Sequence, residues 1–209
     1  MDSASDESRR RGFERFLLFT DAVVAIAVTL LILPVVDEVL QPDATHVRTV
    51  DLLRDLAGEL VGFFLSFAVI VVLWIAHQQV FALAGTPNPW LIRLNVLWLL
   101  SITLLPFSTA LIADHGNEQA TVLLYVSNVV LSIYCLGASS WVLSRNPQLY
   151  LPGTSISRAD RLDALLNCVL VTLALLLAVI VPGLGLYVML LLFLAGPITW
   201  LLMRRAISG

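Results

Sequence analysis

Residues 15–36, RFLLFTDAVVAIAVTLLILPVV, constrain this chain more than any other stretch. From Phe16 onward only Thr20, Asp21 and Thr29 interrupt the apolar run. At about 1.5 Å rise per residue, a helix of this length crosses a hydrocarbon core of about 30 Å. A carboxylate inside such a helix costs about 2.5–3.5 kcal/mol on insertion scales, so Asp21 calls for a partner or a task. A secretory signal has a shorter apolar core and ends in a small-residue cleavage site, and Pro34-Val35-Val36-Asp37 offers none. The stretch reads as a retained first transmembrane helix.

Composition extends that reading to the whole chain. Its 209 residues are 59% hydrophobic and 13% charged, with a mean hydropathy of +0.92. No soluble domain of this size needs so much apolar surface. The chain reads as an all-α membrane protein with six transmembrane helices, at about 15–36, 59–83, 91–113, 119–143, 161–181 and 184–203. Residues 1–14 read as a flexible cytoplasmic tail, and 15–205 as one six-helix transmembrane domain. Gly85-Thr86-Pro87-Asn88-Pro89 and Pro182-Gly183-Leu184-Gly185 are turns, Pro106 is expected to kink the third helix, and the acidic loop of 37–57 is expected to hold a short surface helix.

Every basic residue is an arginine. Six spans place ten of the twelve on one face, leaving Arg48 and Arg54 on the other, so the positive-inside rule makes both termini cytoplasmic. The net charge of -3 and the absence of a basic block argue against nucleic acid as a partner. Cys135 and Cys168 sit in apolar runs with no metal spacing and read as small hydrophobes. No HExxH, GxSxG or paired aspartates occur, so neither catalytic residues, a resident metal nor a cofactor is expected.

At about 100° per residue, Phe19, Ala22, Ile26, Thr29, Leu30 and Leu33 share one stripe of the first helix, with Asp21 roughly opposite. Copies of this helix around an axis would offer apolar rings that exclude water and one hydroxyl ring able to coordinate a cation. The same stripe would serve as ordinary packing against lipid or neighbouring helices, and spacing alone does not choose between the two.

A resemblance bears on that choice. Arg15, Phe19-Thr20-Asp21, Val23, Ala25-Ile26-Ala27, Thr29-Leu30-Leu31 and Leu33 resemble the signature of the transmembrane protein 175 family of potassium channels and its prokaryotic relatives. Ser66-Phe67, Trp74, His77 and Phe81 in the second helix, Leu104-Leu105-Pro106-Phe107-Ser108-Thr109 in the third, and Tyr125 and Asn128 in the fourth extend the likeness. Thr20 stands where the family usually has serine, which keeps the hydroxyl. Helices five and six match only in hydrophobicity. The resemblance implies a prokaryotic member with a single six-helix repeat, a potassium-permeable cation channel assembled as a homotetramer in the plasma membrane, with helix one lining the central pore. It implies Ile26 as main constriction, with Thr29, Leu30 and Leu33 completing the constriction and selectivity elements. Other copies of the chain, the lipid bilayer and permeant K+, with Rb+ and Cs+, would be its partners. No TVGYG-type filter occurs, so a modest preference for K+ over Na+ is expected.

Helix one ascends while helix two descends, which brings Asp21 and His77 to one level. A hydrogen bond between them is expected, joined by the Trp74 N–H and Asn95, with Thr20 and Phe19 beside it and Arg15 capping it from the membrane boundary. Such a network either positions the pore helix or simply fastens helices together. The alternative function is a proton-coupled or secondary transporter using Asp21 and His77, although the paired broken helices of transporters are not visible. Asn128 and Asn167 read as interhelical amides, and Trp90, Trp141 and Trp200 as interfacial anchors.

Overall fold

The computed structural model describes residues 3–40, 48–115, 118–156 and 158–180. The expected sixth helix, at 184–203, lies outside the described residues. Helix α1 (Ser3–Leu30) begins far before the predicted boundary. Residues 3–14, expected as a flexible tail, continue the helix. Two pairs one turn apart, Glu7–Arg11 at 2.8 Å and Arg10–Glu14 at 3.2 Å, support it. Exposed pairs of this kind contribute only about 0.3–0.5 kcal/mol each. The stronger tether is Phe13, which is 4% exposed and packs with Phe81, Leu91, Leu143 and Leu149.

The expected continuous helix over 15–36 is broken. Helix α1 ends at Leu30, two turn residues follow, and α2 (Leu33–Val39) begins with Pro34 in its first turn. Proline has no N–H and its ring collides with the carbonyl four residues back, which here belongs to Leu30. Beyond the break, Val36 N–H donates to the Ile32 carbonyl at 3.1 Å.

A short helix, α3 (Thr49–Asp55), lies in the acidic loop and leads through Leu56 into α4 (Ala57–Phe81). Helix α5 (Pro89–His115) starts on a proline, where the missing N–H costs nothing, and it runs unbroken through Pro106. Helix α6 (Gln119–Arg145), a single 3-10 turn (Pro147–Leu149) and α7 (Arg158–Ile180) complete the described elements. Four segments are long and apolar enough to cross a membrane: Glu7–Val39, Ala57–Phe81, Pro89–Asp114 and Gln119–Arg145. Helix α7 carries only a shorter apolar stretch, Ala164–Leu177, so among the described residues four spans meet that measure where five were predicted.

Side-chain hydrogen bonds fix the register of the bundle. Thr20 of α1 meets Asn95 of α5, whereas Asn95 also meets His77 near the end of α4. Ser66 of α4 meets Thr109 of α5 and Tyr125 of α6, and Ser101 of α5 meets Ser132 of α6. Helices α1 and α5 thus run one way, and α4 and α6 the other. The core between them contains Val24 and Ala27 of α1, Ile70 and Leu73 of α4, Trp98, Ile102 and Leu105 of α5, and Tyr125 and Val129 of α6. Ala27 is 1% exposed, so α1 approaches its neighbours closely at this small residue.

At the end of the bundle that carries the α1 N-terminus, the α4–α5 and α6–α7 connections clasp each other. Gly85 N–H donates to the Leu149 carbonyl at 2.8 Å and Leu151 N–H to the Leu83 carbonyl at 3.0 Å, around an antiparallel bridge between Ala84 and Tyr150. This clasp closes the cluster that holds Phe13.

Candidate functional site

Helix α1 has two faces of different fate. Thr20, Val24, Ala27 and Leu31, spaced four, three and four residues apart, are buried against the bundle. On the other side Phe19 is 59% exposed, Ile26 58%, Leu30 42% and Leu33 48%, with Ala22 and Thr29 also exposed. Leu33 keeps its exposure although it lies beyond the break at Leu31-Ile32. Thr29 Oγ1 donates to the Ile26 carbonyl at 2.8 Å. The hydroxyl's proton is therefore used within the helix, and what the oxygen offers outward is acceptor lone pairs.

The polar groups beside this face form two linked sets. Asp21 Oδ1 accepts from Trp74 Nε1 at 2.9 Å and from Gln78 Nε2 at 2.6 Å. His77 Nε2 lies 2.6 Å from Asn95 Oδ1, and Asn95 Nδ2 donates to Thr20 Oγ1 at 2.7 Å. Thr20 in turn donates to the Phe16 carbonyl at 3.1 Å. Because Asn95 Oδ1 can only accept, this geometry assigns the proton to His77 Nε2.

The expected Asp21–His77 hydrogen bond is not formed. Trp74 and Gln78 are four residues apart and share the stripe of α4 that faces Asp21, whereas His77 is turned about 100° away toward α5. Gln78 was missed from the sequence, although its spacing from Trp74 was the signal that finds it. Two further members expected in the network do not join it. Arg15 is exposed and makes no ion pair among the described residues, and Phe19 belongs to the exposed apolar face.

His77 is held on both sides. Its ring stacks on Phe81 at 4.4 Å and on Trp98 at 4.2 Å, and the side chain is 1% exposed. This sandwich and the Asn95 contact leave it no room to swing toward Asp21. Deeper in the bundle, Thr109 Oγ1 lies 2.7 Å from Ser66 Oγ, and Ser66 lies 3.2 Å from the Tyr125 hydroxyl. Asn128 Nδ2 donates to the Ser101 carbonyl at 2.8 Å, joining α6 to α5. Among the described residues no group of three His, Cys, Asp or Glu side chains stands ready for a metal.

Residues 15–106 match the family described as "Endosomal/lysosomal potassium channel TMEM175". These residues include the exposed face of α1 and both polar sets. The chain belongs to the TMEM175 family. The family is one of ion channels, not of enzymes.

Its bacterial relatives include a potassium channel of Chamaesiphon minutus, 36% identical over 104 residues, covering 48% of this chain and 49% of that one. A potassium channel of Streptomyces collinus is 30% identical over 146 residues, covering 64% of this chain and 66% of that one. The human protein named endosomal/lysosomal proton channel TMEM175 is 29% identical over 128 residues, which cover 60% of this chain. This TMEM175-family chain spans about a quarter of the length of the animal relatives it matches, 25% for the human one. The crystal structure of a lysosomal potassium-selective channel TMEM175 homologue from Chamaesiphon minutus shares the fold, with a TM-score of 0.72 at 24% identity. That likeness covers 89% of this chain and 97% of the other.

Proposed function

We propose that this chain is a potassium-permeable channel subunit whose helix α1 lines a pore at the axis of a homotetramer. The observation that carries the reading is the exposed face of α1. Ile26 and Leu30 of α1, with Leu33 at the start of α2, stand exposed on the side away from Thr20, Val24 and Ala27, which α1 buries in the bundle. Four copies turned inward would stack rings of branched apolar side chains, and such rings exclude water and narrow the path. Ile26 is the main constriction. Thr29, with its acceptor lone pairs turned outward, is the one hydroxyl among them and favours K+ modestly over Na+, with Rb+ and Cs+ also permeant. The bacterial relatives named potassium channels support the choice of ion.

The polar sets around Asp21 and Asn95 hold α1 against α4 and α5 at a fixed rotation, which aims the apolar face at the axis. Trp74, Gln78, His77 and Thr20 act in this positioning role. The arginine distribution supports a multi-pass protein of the cell membrane with both termini cytoplasmic.

The test is the reversal potential of the purified protein in planar bilayers under opposed K+ and Na+ gradients, with Ile26→Asn beside the wild type. The expected result is reversal shifted toward the K+ equilibrium value, and a mutant with larger conductance and weaker preference. Silent bilayers, or a mutant identical to wild type, would overturn the assignment. The animal relatives named proton channels give a reason to impose a pH gradient in the same experiment, which reads proton flow directly.

A further inference from the structure

At the end of the bundle opposite the α1 N-terminus lies a cavity of about 500 Å³, between the α1–α2 break, the first turns of α4 and the last turns of α5. Leu31, Pro34, Phe63 and Ile112 contribute apolar walls. The cavity is hollowed out by small residues. A Cβ added at Gly58 would meet no atom within 4 Å, and one at Gly62 would reach only the Thr109 methyl at 4.0 Å. The break at Pro34 contributes directly, since the wall residues Leu31 and Pro34 belong to it.

One ionisable group lines this apolar space. Glu59 Oε2 is buried and has no hydrogen-bond partner among the described residues. Glu59 stands in the first turn of α4, where the helix dipole favours its negative charge, yet Oε2 takes no donor from the described residues and is left for an occupant to satisfy. The apolar walls exclude a hydrated metal ion, which would need several oxygen ligands where this site has one carboxylate. They suit a compact hydrocarbon body carrying an ammonium group, which buries apolar surface and returns a charge-assisted hydrogen bond to Glu59.

We infer that the cavity between α2, α4 and α5 is a binding site for a small lipophilic organic amine, with Glu59 as its anionic anchor. Nothing in the proposed permeation path uses Glu59 or this cavity, so the inference stands apart from the channel reading.

The test compares 1-aminoadamantane with its neutral isostere 1-adamantanol, using ligand-observed NMR on the full chain in lipid nanodiscs. The amine is expected to bind saturably and about tenfold or more tightly than the alcohol, the minimum that one charge-assisted hydrogen bond supplies. Glu59→Gln is expected to reduce the amine to the affinity of the alcohol while leaving the alcohol unchanged. Gly58→Leu, whose Cβ meets no atom within 4 Å, puts an isobutyl group at the cavity wall and is expected to abolish saturable binding of both. Equal uptake of amine and alcohol by the wild type, as membrane partitioning gives, would overturn the site. So would an amine preference that survives Glu59→Gln. Where Glu59→Gln does not fold, Gly58→Leu decides, because amine binding unaffected by a bulky side chain added to the cavity wall is incompatible with the inference.

Discussion

Trp74 and Asp21 are joined across antiparallel helices by an indole N–H to carboxylate hydrogen bond of 2.9 Å, and the same oxygen also takes the Gln78 amide at 2.6 Å. Two neutral donors on one turn of α4 thus hold one carboxylate of α1. Trp74→Phe and Gln78→Leu each remove one donor while keeping bulk. Interhelical hydrogen bonds in membranes average about 0.6 kcal/mol and reach about 1.7 kcal/mol, so each single change is expected to cost within that range. The double change is expected to cost more than the sum, because the carboxylate is then left without a donor. Unfolding in detergent measures all four corners of the cycle. Simple additivity would mean that the two donors do not share the burden of Asp21.

Asn95 links two helices at once, through His77 on α4 and Thr20 on α1. Asn95→Leu leaves a buried imidazole N–H without its acceptor, whereas Thr20→Ser keeps the hydroxyl that Asn95 needs. An unsatisfied buried donor costs about 1–3 kcal/mol. Asn95→Leu is therefore expected to lower the unfolding temperature clearly, and Thr20→Ser much less. Equal losses in the two variants would show that packing at these positions, not the bond, sets stability.

The positions of these polar residues explain what the sequence revealed and what it hid. Helix identity was legible because apolar runs of this length have one use. The pairing of Trp74 with Asp21 was legible from levels in the membrane, since one helix ascends as its neighbour descends. The rotation of α4 was not, so Asp21 was matched to His77 in place of Gln78, one residue and about 100° away. The helical continuation over residues 3–14 is hidden for a related reason. Composition shows charges at Arg9, Arg10 and Arg11, but the residue that orders this segment is Phe13, whose burial depends on the clasp between two distant loops. The break at Leu31-Ile32 needed only Pro34 and the carbonyl of Leu30, both visible in the sequence.

That clasp makes a prediction about glycine. A Cβ on Gly85 would stand 3.1 Å from the backbone of Leu151 and from the Tyr150 carbonyl, none of which can yield without disturbing the bridge. Gly12, inside α1, has nothing within 4 Å of such a Cβ. Gly85→Ala is expected to destabilise by about 1–3 kcal/mol through overpacking. Gly12→Ala is expected to stabilise by about 0.5–1 kcal/mol through helix propensity. Opposite shifts in unfolding temperature check both, and a neutral Gly85→Ala would mean the two loops separate at no cost.

Thr29 offers the sharpest separation between folding and function. Its hydroxyl bonds only to the Ile26 carbonyl of its own helix, and its side chain lies on the exposed face. Thr29→Val preserves shape and removes the oxygen, so unfolding of the single chain is expected to change by no more than about 0.5 kcal/mol, as at exposed positions generally. In a pore built from this face, the same change removes the one ring of acceptor oxygens between the apolar layers of Ile26 and Leu33. Reversal potentials under opposed K+ and Na+ gradients are then expected to move toward zero, with the channel still conducting. Ile26→Ala, which widens the path but leaves the hydroxyl ring, is expected to raise conductance with a smaller shift in reversal. If Thr29→Val keeps the full K+ preference, selectivity resides in the width set by Ile26 and not in the hydroxyl.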